Sequence, residues 1–376
     1  MPNPQDIFQL AQQTATQVTA SPESWRRFLY TAAHNYHTTY LNQLLIHAQR
    51  PDATACATMK YWNEQAHRKV MYGSKSIIIL QRHQGVPTAK RVFSMTDTVL
   101  TGDKAAAPWE VTDAIRPLLM QVNSVGNLID RATEQVVSLS DRANRVMANS
   151  IEDSTLGWSH PEDQRFILQE LAAQSTLYMI CIRLGIPVQE EDFPAFQNVT
   201  QFDTSRISLC LGGYVQAAAE PLLDELGTKL CSLPATVLQF RLNQCIIQIL
   251  NHPHKRPVER RLSQMMYTNV KGYQIPNLSL PKAKKTNLNR YGRMRLDYLE
   301  QNEPNLCDQM MLEGTLLPSC RKMGLDAQQM VDKTLRDLMQ KAQMPDRKTN
   351  PLGWAQMCNS LKQQAEEMIL PMLYEV

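Results

Sequence analysis

The chain has 376 residues, 43% of them hydrophobic and 20% charged, with a formal net charge of +3. That length exceeds one comfortable core and predicts two or three domains, while the composition excludes disordered, collagen-like and disulfide-stapled classes. No stretch approaches the roughly 20 apolar residues of a membrane span, and the opening MPNPQDIFQL lacks the basic flank and apolar run of a secretion signal, so a cytoplasmic protein without membrane contact is expected.

Eight cysteines, at 56, 181, 210, 231, 245, 307, 320 and 358, form no CxxC pair, which is the usage of a reducing compartment. The small net charge hides a segregation. Residues 60–91 carry seven Lys/Arg against Glu64, residues 108–250 carry nine against seventeen acids, and residues 251–295 carry eleven against Glu259. Two basic regions flanking an acidic one point to an anionic partner for the outer two.

Residues 1–21 are polar and predict a loosely held first helix. Ser21 or Ser24 caps the next helix, which sets Trp25, Phe28, Leu29, Ala32 and Ala33 on one face. The run from Tyr36 to Pro51, YHTTYLNQLLIHAQRP, reads as a helix ended by the proline. In it Tyr36 and Tyr40 share a face, as do Asn42 and Gln49. The β-branched run 76–80 and the segment 91–93 form a hairpin with a basic loop, so the first domain is α+β and closes near Thr98.

TGDKAAAP (101–108) has linker composition, and residues 109–250 are mainly helical. The longest helix is expected from Asp163 to Leu184, with Phe166, Leu171, Leu177, Ile180 and Leu184 as its buried stripe and Gly185 as its stop. Further helices are expected at 221–231 and 235–250. NHPHKRPVERR (251–261) is a basic hinge, 273–281 is extended, and helices resume at Tyr291. Asp326 with Gln329 suggests a capping box ahead of Met330. After Pro351 the last helix carries the stripe Trp354, Met357, Leu361, Ala365, Met368 and Met372. The fold class is α+β and predominantly helical. It comprises a small α+β domain (1–104), a helical middle domain (105–250), a basic linker and extended segment (251–290), and a helical C-terminal domain (291–376).

Single strands of nucleic acid are gripped by cations that follow phosphate and by aromatics that stack on bases. Tyr36, Tyr40, Trp62 and Tyr72 are the stacking candidates. Arg50, Arg68, Lys69, Lys75, Arg82 and Arg91 are the phosphate candidates, with Asn42 and Gln49 as hydrogen-bonding partners of base or backbone. The competing reading makes Trp62 and Tyr36 core, and gives Asn42 and Gln49 to buried main chain. Tyr267, Tyr273 and Tyr291 interleave with the second basic run and favour a nucleic-acid arm there. His34 with His37, and His252 with His254, each offer two metal ligands but no third, so neither metal nor cofactor is expected.

Two segments carry resemblances. Tyr36, Thr39-Tyr40, Asn42, Leu45-Ile46, Gln49, Pro51, Ala53-Thr54, Trp62, Arg68, Val70, Gly73, Lys75, Ile77, Ile79, Val92-Phe93 and Asp97-Thr98 together resemble the N-terminal domain of the ArdC antirestriction family. That domain also occurs in LtrC-like primases and large helicases of mobile elements, and the resemblance implies binding of single-stranded DNA. Tyr273, Pro276, Leu278, Tyr291 through Arg295, Tyr298-Leu299, Pro304, Gly314, Leu316, Asn350-Pro351, Trp354, Met357, Asn359 and Ala365 through Glu367 are similar to the transposon-encoded TnpV family.

Between them, LQELAAQSTLYMICIRLGIP (168–187) resembles the helix that follows the metal motif of ArdC-type metallopeptidases. Those enzymes need an upstream HExxH. Here Asn149-Ser150-Ile151-Glu152-Asp153 stands in its place, and Gln174 stands for the downstream carboxylate, so a scaffold that has lost its zinc is expected. Together these features predict a non-enzymatic, mobile-element-encoded accessory protein that binds single-stranded DNA in an antirestriction or anti-defence role. The alternatives are a protein that inhibits a host defence nuclease or contacts a transposition protein directly, and, behind both, a zinc metallopeptidase.

Overall fold

The computed structural model describes residues 5–101, 125–231, 265–281 and 286–374. All but Thr101 of the expected linker at 101–108, the helix at 235–250 and the basic hinge at 251–261 lie outside them. Two compact units divide the chain. One comprises residues 1–81 and 89–281, the other residues 82–88 and 282–376. The expected α+β and middle domains therefore share one unit. Among the described residues, no helix is long and apolar enough to cross a membrane.

The first unit opens with β1 (Gln5–Asp6) and α1 (Ile7–Val18), capped by Asp6, whose carboxylate accepts from the Phe8 N–H at 2.7 Å. Far from being loose, α1 buries Ile7, Ala11, Ala15 and Val18 completely or nearly so, and the Thr19 hydroxyl donates to the Phe202 carbonyl at 2.7 Å. α2 (Pro22–His34) is capped by Ser21. Its Trp25 donates from Nε1 to Ser175 Oγ at 2.9 Å, which gives the one polar atom of a core indole its partner.

α3 spans Tyr40–Gln49, so Tyr36 lies in the preceding turn and does not share a helical face with Tyr40. β2 (Cys56–Ala57), α4 (Met59–Glu64) and β3 (Arg68–Val70) follow. β4 (Ile77–His83) and β5 (Val86–Ser94) then form a hairpin that turns at Gln84 and Gly85, both with positive φ. The strand order is β2-β5-β4, while β3 pairs antiparallel with β6 (Thr98–Leu100). The unbroken apolar run of β4 is explained by burial on both faces: Ile77 and Ile79 pack with Ile46, Ala53 and Val92, and Ile78 and Leu80 are also buried.

Three long helices complete the scaffold: α5 (Val125–Ala148), α6 (Pro161–Leu184) and α7 (Ser205–Cys231). α6 stops at Gly185 as expected, in the left-handed conformation (φ 64°) that L side chains avoid. Of its expected stripe, Leu171, Ile180 and Leu184 are buried, while Leu177 is half-buried and Phe166 is 67% exposed. β7 (Tyr267–Val270) and β8 (Tyr273–Pro276) form a second hairpin through Lys271 and Gly272, and β9 (Leu278–Ser279) pairs parallel with β1. That hairpin is held by backbone bonds: Gly73 N–H to Gly272 O, Ser76 N–H to Gln274 O and Gln274 N–H to Ser74 O.

The second unit contains α8 (Arg290–Asn302), α9 (Pro304–Leu312), α10 (Leu316–Lys341) and α11 (Pro351–Tyr374). α10 runs unbroken through Asp326, so no cap forms there. Asn289 accepts from the Gly292 N–H at 2.8 Å and donates to Gly324 O at 2.7 Å. α8 and α10 touch so closely that a Cβ on Gly324 would lie 2.6 Å from Gly292 N. Tyr291 and Arg295 tie α8 to α11, donating to Glu366 and to the Leu373 carbonyl. On the last helix Leu361 and Ala365 are buried, and Met368 is 66% exposed.

Candidate nucleic-acid interface

Most polar residues of the Tyr36–Pro51 run serve the fold. β4 lies at the edge of its sheet, and its outer backbone groups need partners. Asn42 donates to Leu80 O (3.0 Å) and accepts from Leu80 N–H (2.8 Å). Gln49 does the same at Ile78, at 2.7 and 2.8 Å. Two amides seven residues apart on α3 thus stand in for a neighbouring strand. They are engaged with main chain, as the structural reading of these residues expected.

Three of the four candidate aromatics are core. Tyr36, Tyr40 and Trp62 are 4%, 1% and 2% exposed. The Tyr40 hydroxyl meets Ser208 Oγ at 3.0 Å, and burial pushes its phenol well above the usual tyrosine range. Trp62 Nε1 donates to Phe93 O at 2.9 Å. None of these rings presents a face for a base to stack on.

Two of the candidate cations are engaged internally. Arg50 pairs with Asp97 and lies 3.5 Å from Asp52, with a further bond to Thr96. Arg82, in the second unit, pairs with Asp308 at 2.6 Å and donates to Pro304 O at 2.7 Å. Both charges are already matched, so phosphate would have to displace a carboxylate. Lys69, Lys75 and Arg91 are exposed, and half-buried Arg68 donates from Nε to Thr98 Oγ1 at 2.7 Å.

The remaining aromatic is different. Tyr72 is 75% exposed and its ring lies flat against Tyr273, centroids 5.6 Å apart and planes at 16°. Tyr273 in turn meets Phe93 edge-on at 5.6 Å, anchoring the pair to the core. The adjoining pocket, of about 240 Å³, is lined by Met59, Asn63, Arg68, Lys69, Val70, Thr101 and Tyr273. On the β7–β8 hairpin that carries Tyr273, the Tyr267 ring lies 5.1 Å beneath Nζ of Lys75, a residue just ahead of β4, and Lys271 is exposed at the turn. Gly272 allows the approach: its φ is 86°, and a Cβ there would fall 2.7 Å from Tyr72 Cδ1.

Sequence reasoning singled out Tyr72, Tyr267 and Tyr273 but did not bring them together, because two hundred residues separate the first from the others. The pocket residues Met59, Asn63 and Thr101 were missed. The turn Asn269-Val270-Lys271-Gly272 between alternating residues is the local signal that would have located the hairpin. Tyr291, the third interleaved tyrosine, is buried against Glu366.

Among the described residues, the positions that the metallopeptidase resemblance assigns to its motif, 149–153 and Gln174, serve other contacts. Residues 149–153 form a turn in which Asp153 has φ 70°, so they cannot set ligands on one helical face. Gln174 accepts from the Ala195 N–H at 2.9 Å, a structural bond. His34 directs Nδ1 to the Tyr30 carbonyl at 2.8 Å, and His37 faces α7 instead. His252 and His254 lie outside the described residues.

Residues 266–373 match the family described as transposon-encoded protein TnpV. No curated protein and no solved structure matches the chain. The C-terminal segment is thus tied to a family encoded by transposons, and the matched segment begins with the β7–β8 hairpin that carries Tyr267 and Tyr273.

Proposed function

We propose that this is a non-enzymatic accessory protein of a mobile genetic element that holds single-stranded DNA on the Tyr72–Tyr273 ridge. The observation that carries the reading is the exposed Tyr72 ring, backed by Tyr273, which shares a pocket with Arg68 and Lys69 and a hairpin with Tyr267, the ring under Lys75. An exposed ring supported from beneath is already positioned to stack on a base, and each base stacked on an aromatic contributes about 1–3 kcal/mol. The flanking cations supply the phosphate attraction, which is independent of sequence. An antirestriction or anti-defence role is supported by the resemblance of residues 36–98 to the ArdC family, and the mobile-element setting by the TnpV match.

The test is fluorescence anisotropy of the full chain with single- and double-stranded oligonucleotides over a salt series. Tighter binding to the single strand, falling with salt, and at least a fivefold loss in Tyr72→Ala are expected. No binding at low salt, or affinity unchanged by Tyr72→Ala together with Lys69→Glu, overturns the reading.

A second reading, direct inhibition of a host defence nuclease or contact with a transposition protein, is favoured by Trp158 and Phe166, which are 88% and 67% exposed. Large exposed aromatics are the residue type that anchors protein interfaces. Pulldown of a nuclease or transposition protein that survives nuclease treatment and is lost in Trp158→Ala would favour it over the first.

A further inference from the structure

One cluster outside the DNA ridge has the make-up of a metal site. His37 projects from the turn between α2 and α3, and Glu220 and Asp224 lie one helical turn apart on α7. Nδ1 of His37 is 3.4 Å from Asp224 Oδ1 and 4.0 Å from Glu220 Oε1, and the ligand atoms of all three lie within 4.8 Å of one another. Zinc bonds of about 2.1 Å in a tetrahedron separate neighbouring ligand atoms by about 3.4 Å, so small rotations of three side chains would close the set on one ion.

The surroundings hold two of the three ligands, Glu220 and His37, in place. Gln216, one turn before Glu220 and 4% exposed, donates from Nε2 to Glu220 Oε2 at 2.8 Å and to the Tyr36 carbonyl at 3.0 Å. A single buried amide therefore orients one carboxylate and ties down the backbone beside His37, leaving Glu220 Oε1 turned toward the imidazole. The Tyr36 ring packs against the His37 ring with centroids 4.0 Å apart, which restricts the imidazole further. Partners behind the ligands that fix ligand orientation are the feature that distinguishes a built metal site from a chance cluster.

From this geometry we propose that His37, Glu220 and Asp224 bind a divalent transition ion of the zinc type, with a fourth position open to water. One imidazole nitrogen with two carboxylates suits zinc and its neighbours and disfavours magnesium, which seeks an all-oxygen shell. Such an ion would join the α2–α3 turn to α7, two segments that are otherwise linked here through Gln216. The proposal is independent of DNA binding.

Zinc titrated into the full chain at pH 7.5, in competition with a chromophoric chelator, tests it. One equivalent is expected to bind, weakened at least tenfold by His37→Ala and by Asp224→Asn, and unchanged by His34→Ala or by the double change His252→Ala, His254→Ala. Thermal melts should rise with zinc in the unsubstituted chain and not in His37→Ala. His37 and Asp224 are exposed, so these variants keep the fold, and circular dichroism checks that. No bound zinc, or an equivalent that His37→Ala leaves intact, overturns the proposal and leaves the three residues as a polar surface cluster.

Discussion

Gly212 and the ring of Tyr40 compete for the same space: a Cβ at residue 212 would lie 2.0 Å from Tyr40 Cε2. α3 and α7 therefore meet ring against bare backbone, and the Tyr40 hydroxyl reaches Ser208 one turn earlier on α7. Gly212→Ala is expected to destabilise the first unit by about 1–3 kcal/mol, the usual cost of overpacking a core. Tyr40→Phe, which keeps the ring and removes one hydrogen bond, should cost about 1 kcal/mol. Urea unfolding followed by tryptophan fluorescence checks the order; equal losses would mean the contact is not tight.

Replacing Gln49 by Leu leaves both backbone groups of Ile78 without their partner. The expected loss is about 1–3 kcal/mol per stranded buried group, and Asn42→Leu should act alike through Leu80. Neither change touches the Tyr72 ridge, so the folded fraction should bind single-stranded DNA unaltered. A weakened affinity at full folding would return Asn42 and Gln49 to the interface.

The Arg82–Asp308 pair is buried in the second unit, with side chains 13% and 6% exposed. Removing one partner strands a charge, so Arg82→Met or Asp308→Leu should each cost roughly 3–5 kcal/mol, while the double change should recover most of the loss. A double-mutant cycle on thermal unfolding measures this. Additive losses would show that the two charges do not depend on each other.

His47 makes the first unit sensitive to acid. Burial lowers its pKa from the ordinary 6.5 to about 4, with a smaller push from Arg27, and its Nδ1 lies 2.8 Å from the Thr31 hydroxyl. The unfolded chain takes up this proton near pH 6.5 and the folded chain only near 4. The contribution is therefore complete above the unfolded value and falls as pH drops from about 6.5 toward 4. At 1.36 kcal/mol for each unit of difference, it is on the order of 3 kcal/mol. His47→Gln should flatten the dependence of the melting temperature on pH in that window; an unchanged slope would assign it elsewhere.

Much of the fold was legible because periodicity and caps are local. Ser21, Gly185 and the amphipathic stripe of α2 lie where their sequence context puts them. What was not legible were pairings between distant residues. Whether a tyrosine is core or a stacking platform depends on what covers it. Tyr40 is covered by Gly212, and Tyr72 is backed by Tyr273, yet the two look alike in sequence. Charge runs mislead in the same way: Arg82 contributes to the basic excess of residues 60–91, but Asp308 neutralises it. The Asp326 capping box fails because α10, which starts at Leu316, is stabilised by packing of Ala327 and Val331 against Tyr291, Ala365 and Leu373, and needs no fresh start there.

The β7–β8 hairpin bears on where the chain can be cut. The family-matched segment starts at residue 266, yet the strands that open it are counted with the first unit, whose boundary falls at 281. A fragment that begins at 266 leaves behind residues 73–76 and Gln5–Asp6, to which its strands are bonded. It would expose unsatisfied edges ready to add strands from other copies. Severing the chain there would also divide the tyrosine stack, with Tyr72 on one piece and Tyr273 on the other. For this protein, the border of sequence kinship and the border between its compact units are different places.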